Sequence, residues 1–129
     1  MNFASFPVLV VDDYKTMTRI IRQFLNQLGF RNVDEASDGQ QALGMLKTKQ
    51  YGLVISDWNM QPMTGIELVR AIRADGQLKN TPFIMVTAES LPQNILAAKE
   101  AGVNNYIVKP FNAQTLQRVV FSVLGVRAA

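Results

Sequence analysis

Short apolar runs alternate with amphipathic stretches along the whole chain. Val8-Leu9-Val10-Val11, Leu53-Val54-Ile55-Ser56 and Phe83-Ile84-Met85-Val86-Thr87 are nearly continuous apolar segments. Runs of that length, rich in β-branched residues, read as strands buried on both faces, as in parallel sheets. Val33 to Ala36 and Tyr106 to Val108 are shorter candidates. Between the runs the apolar period changes to helical. From Lys15 to Leu28, Met17, Ile20, Ile21, Phe24, Leu25 and Leu28 share one face, and Gly29 ends the helix. A second helix follows the Ser37-Asp38-Gly39 turn and carries Ala42, Leu43 and Leu46. Thr64-Gly65-Ile66-Glu67 matches a capping box that opens a third, with Ile66, Val69 and Ile72 inward. Ser90-Leu91-Pro92-Gln93 reads as another capping box with proline in the first turn. That helix turns Ile95 and Ala98 inward and stops at Gly102. Asn112 caps the last helix, whose inward stripe is Leu116, Val120, Val123 and Leu124, with Val119 and Phe121 expected sideways or outward.

About five β–α units in succession predict an α/β fold. The expected form is an open doubly wound parallel sheet with helices on both faces, in one domain over residues 1–129. The chain is 48% apolar, enough for a full-sized core. No stretch is long enough to cross a bilayer. The N-terminus lacks the basic start and cleavage site of a secretory signal, so a cytoplasmic protein is expected. Cysteine and histidine are both absent, which excludes disulfides, thiolate or imidazole metal sites and histidine acid–base catalysis. The formal charge of +3 is scattered, without a basic arm or aromatic-interleaved patch. It reads as a solvated surface, with no DNA partner expected.

The chemistry lies where the strands end. In an open parallel sheet, ligands bind beyond the carboxyl ends of the strands. The first strand delivers Asp12 and Asp13 there, the third Asp57, the fourth Thr87-Ala88-Glu89 and the fifth Lys109. Carboxylates this close repel one another unless a positive charge sits among them. A hard cation such as Mg²⁺ suits an acidic pair, and a third carboxylate beside it can be a phosphoryl acceptor. Lys109 and the Thr87 hydroxyl could neutralise and bind the phosphoryl oxygens. Each residue alone has an ordinary reading: an acid at a strand end is usually a turn or cap residue. The joint pattern is what points to phosphoryl chemistry.

The stretches Val10-Val11-Asp12-Asp13, Val54-Ile55-Ser56-Asp57-Trp58-Asn59-Met60, Met85-Val86-Thr87-Ala88-Glu89 and Tyr106-Ile107-Val108-Lys109-Pro110-Phe111 occur in order across nearly the whole chain. In them the chain resembles the receiver domains of response regulators, most closely those of chemotaxis. The resemblance implies a flavodoxin-like strand order, 2-1-3-4-5. It implies that Asp57 takes a phosphoryl group from a histidine kinase. Asp12, Asp13, Asp57 and the Asn59 carbonyl would hold Mg²⁺, and Thr87 and Lys109 would contact the phosphoryl oxygens. Thr87 and Tyr106 would form a switch, the Lys109–Pro110 bond would be cis, and Asn59 and Glu89 would flank the crevice. The output surface would include Ser90, Tyr106, Val108, Phe111 and Val119. A monomer that engages the flagellar motor switch protein is the implied form.

Two departures qualify this. Proline stands one place later than usual after the acceptor, in Met60-Gln61-Pro62, so a different loop path is expected. Around the output face, Ser90, Asn112, Val119 and Ser122 differ from the enteric chemotaxis pattern, and Val119 replaces a lysine. With nothing but Val126-Arg127-Ala128-Ala129 after the last helix, output is expected through a surface rather than an attached domain. A phosphate sink for a shared kinase would use the same chemistry without that output. A metal-dependent aspartyl phosphatase is disfavoured, because those enzymes use Asp-x-Asp where this chain has adjacent acids. A flavin site is disfavoured too, since Asp12 and Asp13 would repel its phosphate.

Overall fold

Five parallel strands in the order β2-β1-β3-β4-β5 form the centre of the computed structural model, which describes residues 3–88 and 91–126. Strands and helices alternate: β1 (Val8–Val11), α1 (Lys15–Gln27), β2 (Val33–Ala36), α2 (Gly39–Thr48), β3 (Leu53–Asp57), α3 (Gly65–Ala74), β4 (Phe83–Thr87), α4 (Pro92–Ala101), β5 (Asn105–Val108) and α5 (Ala113–Leu124). The expected strand order and helices on both faces are both present.

The two-residue period of the strands divides the core. Leu9, Val11, Val54, Phe83 and Met85 face one layer, packed with Ala42, Leu46, Leu68, Val69, Ile72 and Ala98 from α2, α3 and α4. Val8, Val10, Leu53, Ile55, Ile84, Val86 and Ile107 face the other, packed with Ile21, Leu25, Leu116 and Val120 from α1 and α5. Because β1, β3 and β4 are buried on both faces, their sequences carry no polar alternation.

Where the sequence offers a capping signal, the helix ends follow it except at α4. The Thr64 side chain accepts from the Glu67 amide, and the Glu67 carboxylate accepts from the Thr64 amide, closing the expected capping box. Asn112 caps α5 through the Thr115 amide. Gly29 and Gly102 end α1 and α4 with positive φ. The exception is α4, whose N-cap is Leu91, with no side-chain cap bond and Pro92 in the first turn. The helix therefore starts one residue later than a Ser90 cap requires. Ser90 and Glu89 lie outside the described residues.

The expectation for α5 also changes. Val119 is buried, 6% exposed, inside the core layer shared with α1. Phe121 packs against the same layer, with its ring 5.7 Å from that of Phe3. Leu116, Val119, Val120, Val123 and Leu124 together make the full i, i+3, i+4, i+7, i+8 stripe, so Val119 belongs to the inward set. Phe121 is covered because Phe3 lies against it and is itself held by stacking on Phe30 at 4.5 Å.

Candidate active site

Strand register places the site. Val11 pairs with Ser56, Asp57 with Val86, and Thr87 with Val108, so the residues that end β1, β3, β4 and β5 meet at one edge. The backbone ties continue past the strands: the Asp12 amide donates to the Ala36 carbonyl, the Trp58 amide to the Val86 carbonyl and the Lys109 amide to the Thr87 carbonyl.

Asp12, Asp13 and Asp57 each bring a carboxylate oxygen within 4.8 Å of the others. Asp12 and Asp57 are buried at 3% and 7% exposure, whereas Asp13 is exposed. Lys109 reaches into the group: its Nζ donates to Asp57 Oδ1 at 3.0 Å and lies 3.9 Å from Asp12 Oδ2. One ammonium thus partly offsets three acids. Asp12 Oδ1 accepts from the Tyr14 amide at 2.9 Å, and its other oxygen is buried without a hydrogen-bond partner. Burial is the main reason the Asp12 carboxyl is pushed up to about 6; the Tyr14 amide works against it, and the neighbouring Asp57 charge adds to it.

A buried carboxylate oxygen with no donor, in reach of two further carboxylates, is suited to a hard cation. The donor set therefore fits Mg²⁺. Asn59 is exposed on the loop that follows β3 and lines a shallow cleft with Asp13, Met60, Gln61 and Thr64. Thr87 is 2% exposed at the end of β4. Tyr106 is half-buried, pairs with Met85 across the sheet and packs on the α3/α4 side of the core. Trp58 is half-buried against the same layer.

The Lys109–Pro110 peptide is cis, as expected, and Gln61–Pro62 is also cis, which proline order alone did not foretell. A second surface lies beside the site. Tyr106, Val108, Phe111, Thr115, Arg118 and Val119 line an open groove of about 430 Å³ between β5 and α5. Val119 contributes to its floor rather than projecting from it.

Sequence reasoning missed Thr18 and Glu35. The buried Thr18 hydroxyl donates to Glu35, which also pairs with Arg22 at 2.9 Å, tying α1 to β2 beside Asp12. An isolated threonine on the inward face of α1 carries no visible signal for this, because its partner is 17 residues away.

Residues 8–121 match the response regulator receiver domain family. The chain is 51% identical over 113 residues to the chemotaxis protein CheY of Pseudomonas aeruginosa, covering 88% of this chain and 91% of that protein. Its fold matches the chemotaxis response regulator CheY4 of Vibrio cholerae with a TM-score of 0.85, at 37% identity, over 91% of this chain and 97% of that one. It also matches the receiver domain of a sensor histidine kinase from Pseudomonas aeruginosa, whose structure has a magnesium ion in its active-site cleft. There the TM-score is 0.85 at 30% identity, over 95% of this chain and 99% of that one.

Proposed function

The chain belongs to the response regulator receiver domain family, and from that membership we propose that it is a phosphorylation switch in a chemotaxis phosphorelay. The observation that carries this reading is Asp57: a buried carboxylate at the end of the central β3, held by Lys109 and flanked by two more acids. Asp12, Asp13, Asp57 and the Asn59 carbonyl are the ligands for Mg²⁺ in this reading, with Asn59 assigned by family resemblance. When bound, the ion neutralises charge on the transferring phosphoryl group.

The protein's own groups do the rest. An oxygen of Asp57 attacks the phosphorus of a phosphohistidine on a kinase, or of a small acyl phosphate. The bond to the donor's leaving atom breaks, the donor keeps that electron pair, and an aspartyl phosphate forms. Lys109, already 3.0 Å from Asp57, passes from the carboxylate to a phosphoryl oxygen. Thr87 donates its hydroxyl to another. Tyr106 shares a sheet face with Thr87, so movement of that hydroxyl frees space that the ring can enter. Both states then differ at the β5–α5 groove, which Tyr106, Val108, Phe111 and Val119 line together with Thr115 and Arg118 and present to a partner. The motor switch protein is the partner favoured by the similarity to chemotaxis proteins. A cytoplasmic location goes with that partner.

The test is binding of a motor-switch peptide with and without a beryllofluoride-type phosphoryl mimic. The switch reading expects affinity to rise with the mimic in the wild type and to stay flat in Asp57→Asn. Rapid turnover of a small acyl phosphate without mimic-dependent binding would instead indicate a phosphate sink.

A further inference from the structure

Gly65 is the first residue of α3, and the backbone at the end of β3 lies directly against it. A Cβ built there would lie 2.4 Å from the Asp57 carbonyl oxygen, 2.7 Å from the Met85 sulfur and 3.0 Å from the Trp58 Cα. The sulfur can swing away; the carbonyl and the Cα cannot, because both are fixed backbone. Asp57 belongs to the central strand, and the Trp58 amide is bonded to the Val86 carbonyl. The Gly65 amide in turn donates to the Trp58 carbonyl at 2.9 Å, which closes the loop carrying Asn59. By contrast, a Cβ at Gly44, inside α2, would meet nothing within 4 Å.

We propose that Gly65 is a positioning residue of the metal site: its missing side chain lets α3 seat directly on the Asp57–Trp58 backbone and so fixes where the Asn59 carbonyl points. The inference rests on the Mg²⁺ reading above and deepens it. Any Cβ at position 65 must either push α3 outward, breaking the bond to Trp58, or displace the backbone of Asp57. Both routes move one end of the loop on which Asn59 sits. Groups that orient metal ligands typically change metal affinity by about 10- to 100-fold when altered.

The test measures Mg²⁺ affinity from Trp58 emission, beside thermal unfolding of the metal-free protein. Gly65→Ala is expected to weaken Mg²⁺ binding by at least about tenfold. Glu67→Ala, which loosens the same helix start but adds no atom near Asp57, is expected to lower the melting temperature while leaving the affinity within about twofold of wild type. A second readout uses the unmodified protein and needs no variant to fold. Since coupling is reciprocal, saturating Mg²⁺ should slow hydrogen exchange of the Gly65 amide. Affinity in Gly65→Ala within twofold of wild type, equal losses in Gly65→Ala and Glu67→Ala, or a Gly65 amide indifferent to bound Mg²⁺ would each overturn the inference alone. A wild type that takes up no Mg²⁺ would overturn it together with the metal reading.

Discussion

Asp12 shows how the site is built against folding stability. Its carboxylate is buried, one oxygen has no hydrogen-bond partner, and Asp57 stands beside it. Its carboxyl titrates near 6 in the folded chain, above its ordinary 3.8, so the metal-free fold disfavours the ionised form. The contribution to stability is full below about pH 4 and is lost as pH rises through about 6. Asp12→Asn removes that penalty. It is expected to stabilise the metal-free protein at neutral pH by on the order of 1–3 kcal/mol, with little effect near pH 3. Added Mg²⁺ should raise the melting temperature of the wild type and not of the variant. Calorimetry at the two pH values, with and without the ion, checks both signs. The acids themselves were legible in the sequence because each follows an apolar run. The unpartnered oxygen was not, since it depends on the Tyr14 amide taking only one side of the carboxylate.

At the scale of elements, legibility followed how local each signal was. Capping at Thr64 and Asn112 is written within four residues, and both caps form as the pattern predicts. The local pattern sets the start of α4 one residue early, since a cap at either 90 or 91 is compatible with Pro92 in the first turn. On α5, Val119 completes the inward stripe that its spacing from Leu116 allows, whereas Phe121, expected sideways or outward, is covered by an N-terminal segment with no periodicity of its own. Phe3 nonetheless sets that arrangement by stacking on Phe30 and meeting Phe121. Phe121→Ala should therefore cost about 1–3 kcal/mol, more than an exposed aromatic would. Urea unfolding of Phe121→Ala and of Phe3→Ala checks this. The double variant should lose less than the sum of the two, because each single change already breaks the shared contact.

For the whole molecule, the strand order is what joins these parts. Placing β3 between β1 and β4, with β5 at the edge, gathers residues separated by up to 97 positions, from Asp12 to Lys109, at one end of the sheet. The same order puts Tyr106 and the β5–α5 groove one strand away from Thr87, so the proposed chemistry and the proposed output surface share a border. Strand-end chemistry made the first half visible from sequence. The contact of Gly65 with the Asp57 backbone was hidden, because a glycine in a helix-start motif says nothing about what lies over it. The most direct measurement is to treat the chain with a small acyl phosphate, trap the product with borohydride and map it by peptide mass spectrometry, with Mg²⁺ and with chelator. One adduct, on Asp57 and dependent on the metal, is the predicted result. An adduct on another residue, or equal labelling of Asp57 in chelator, would contradict the account.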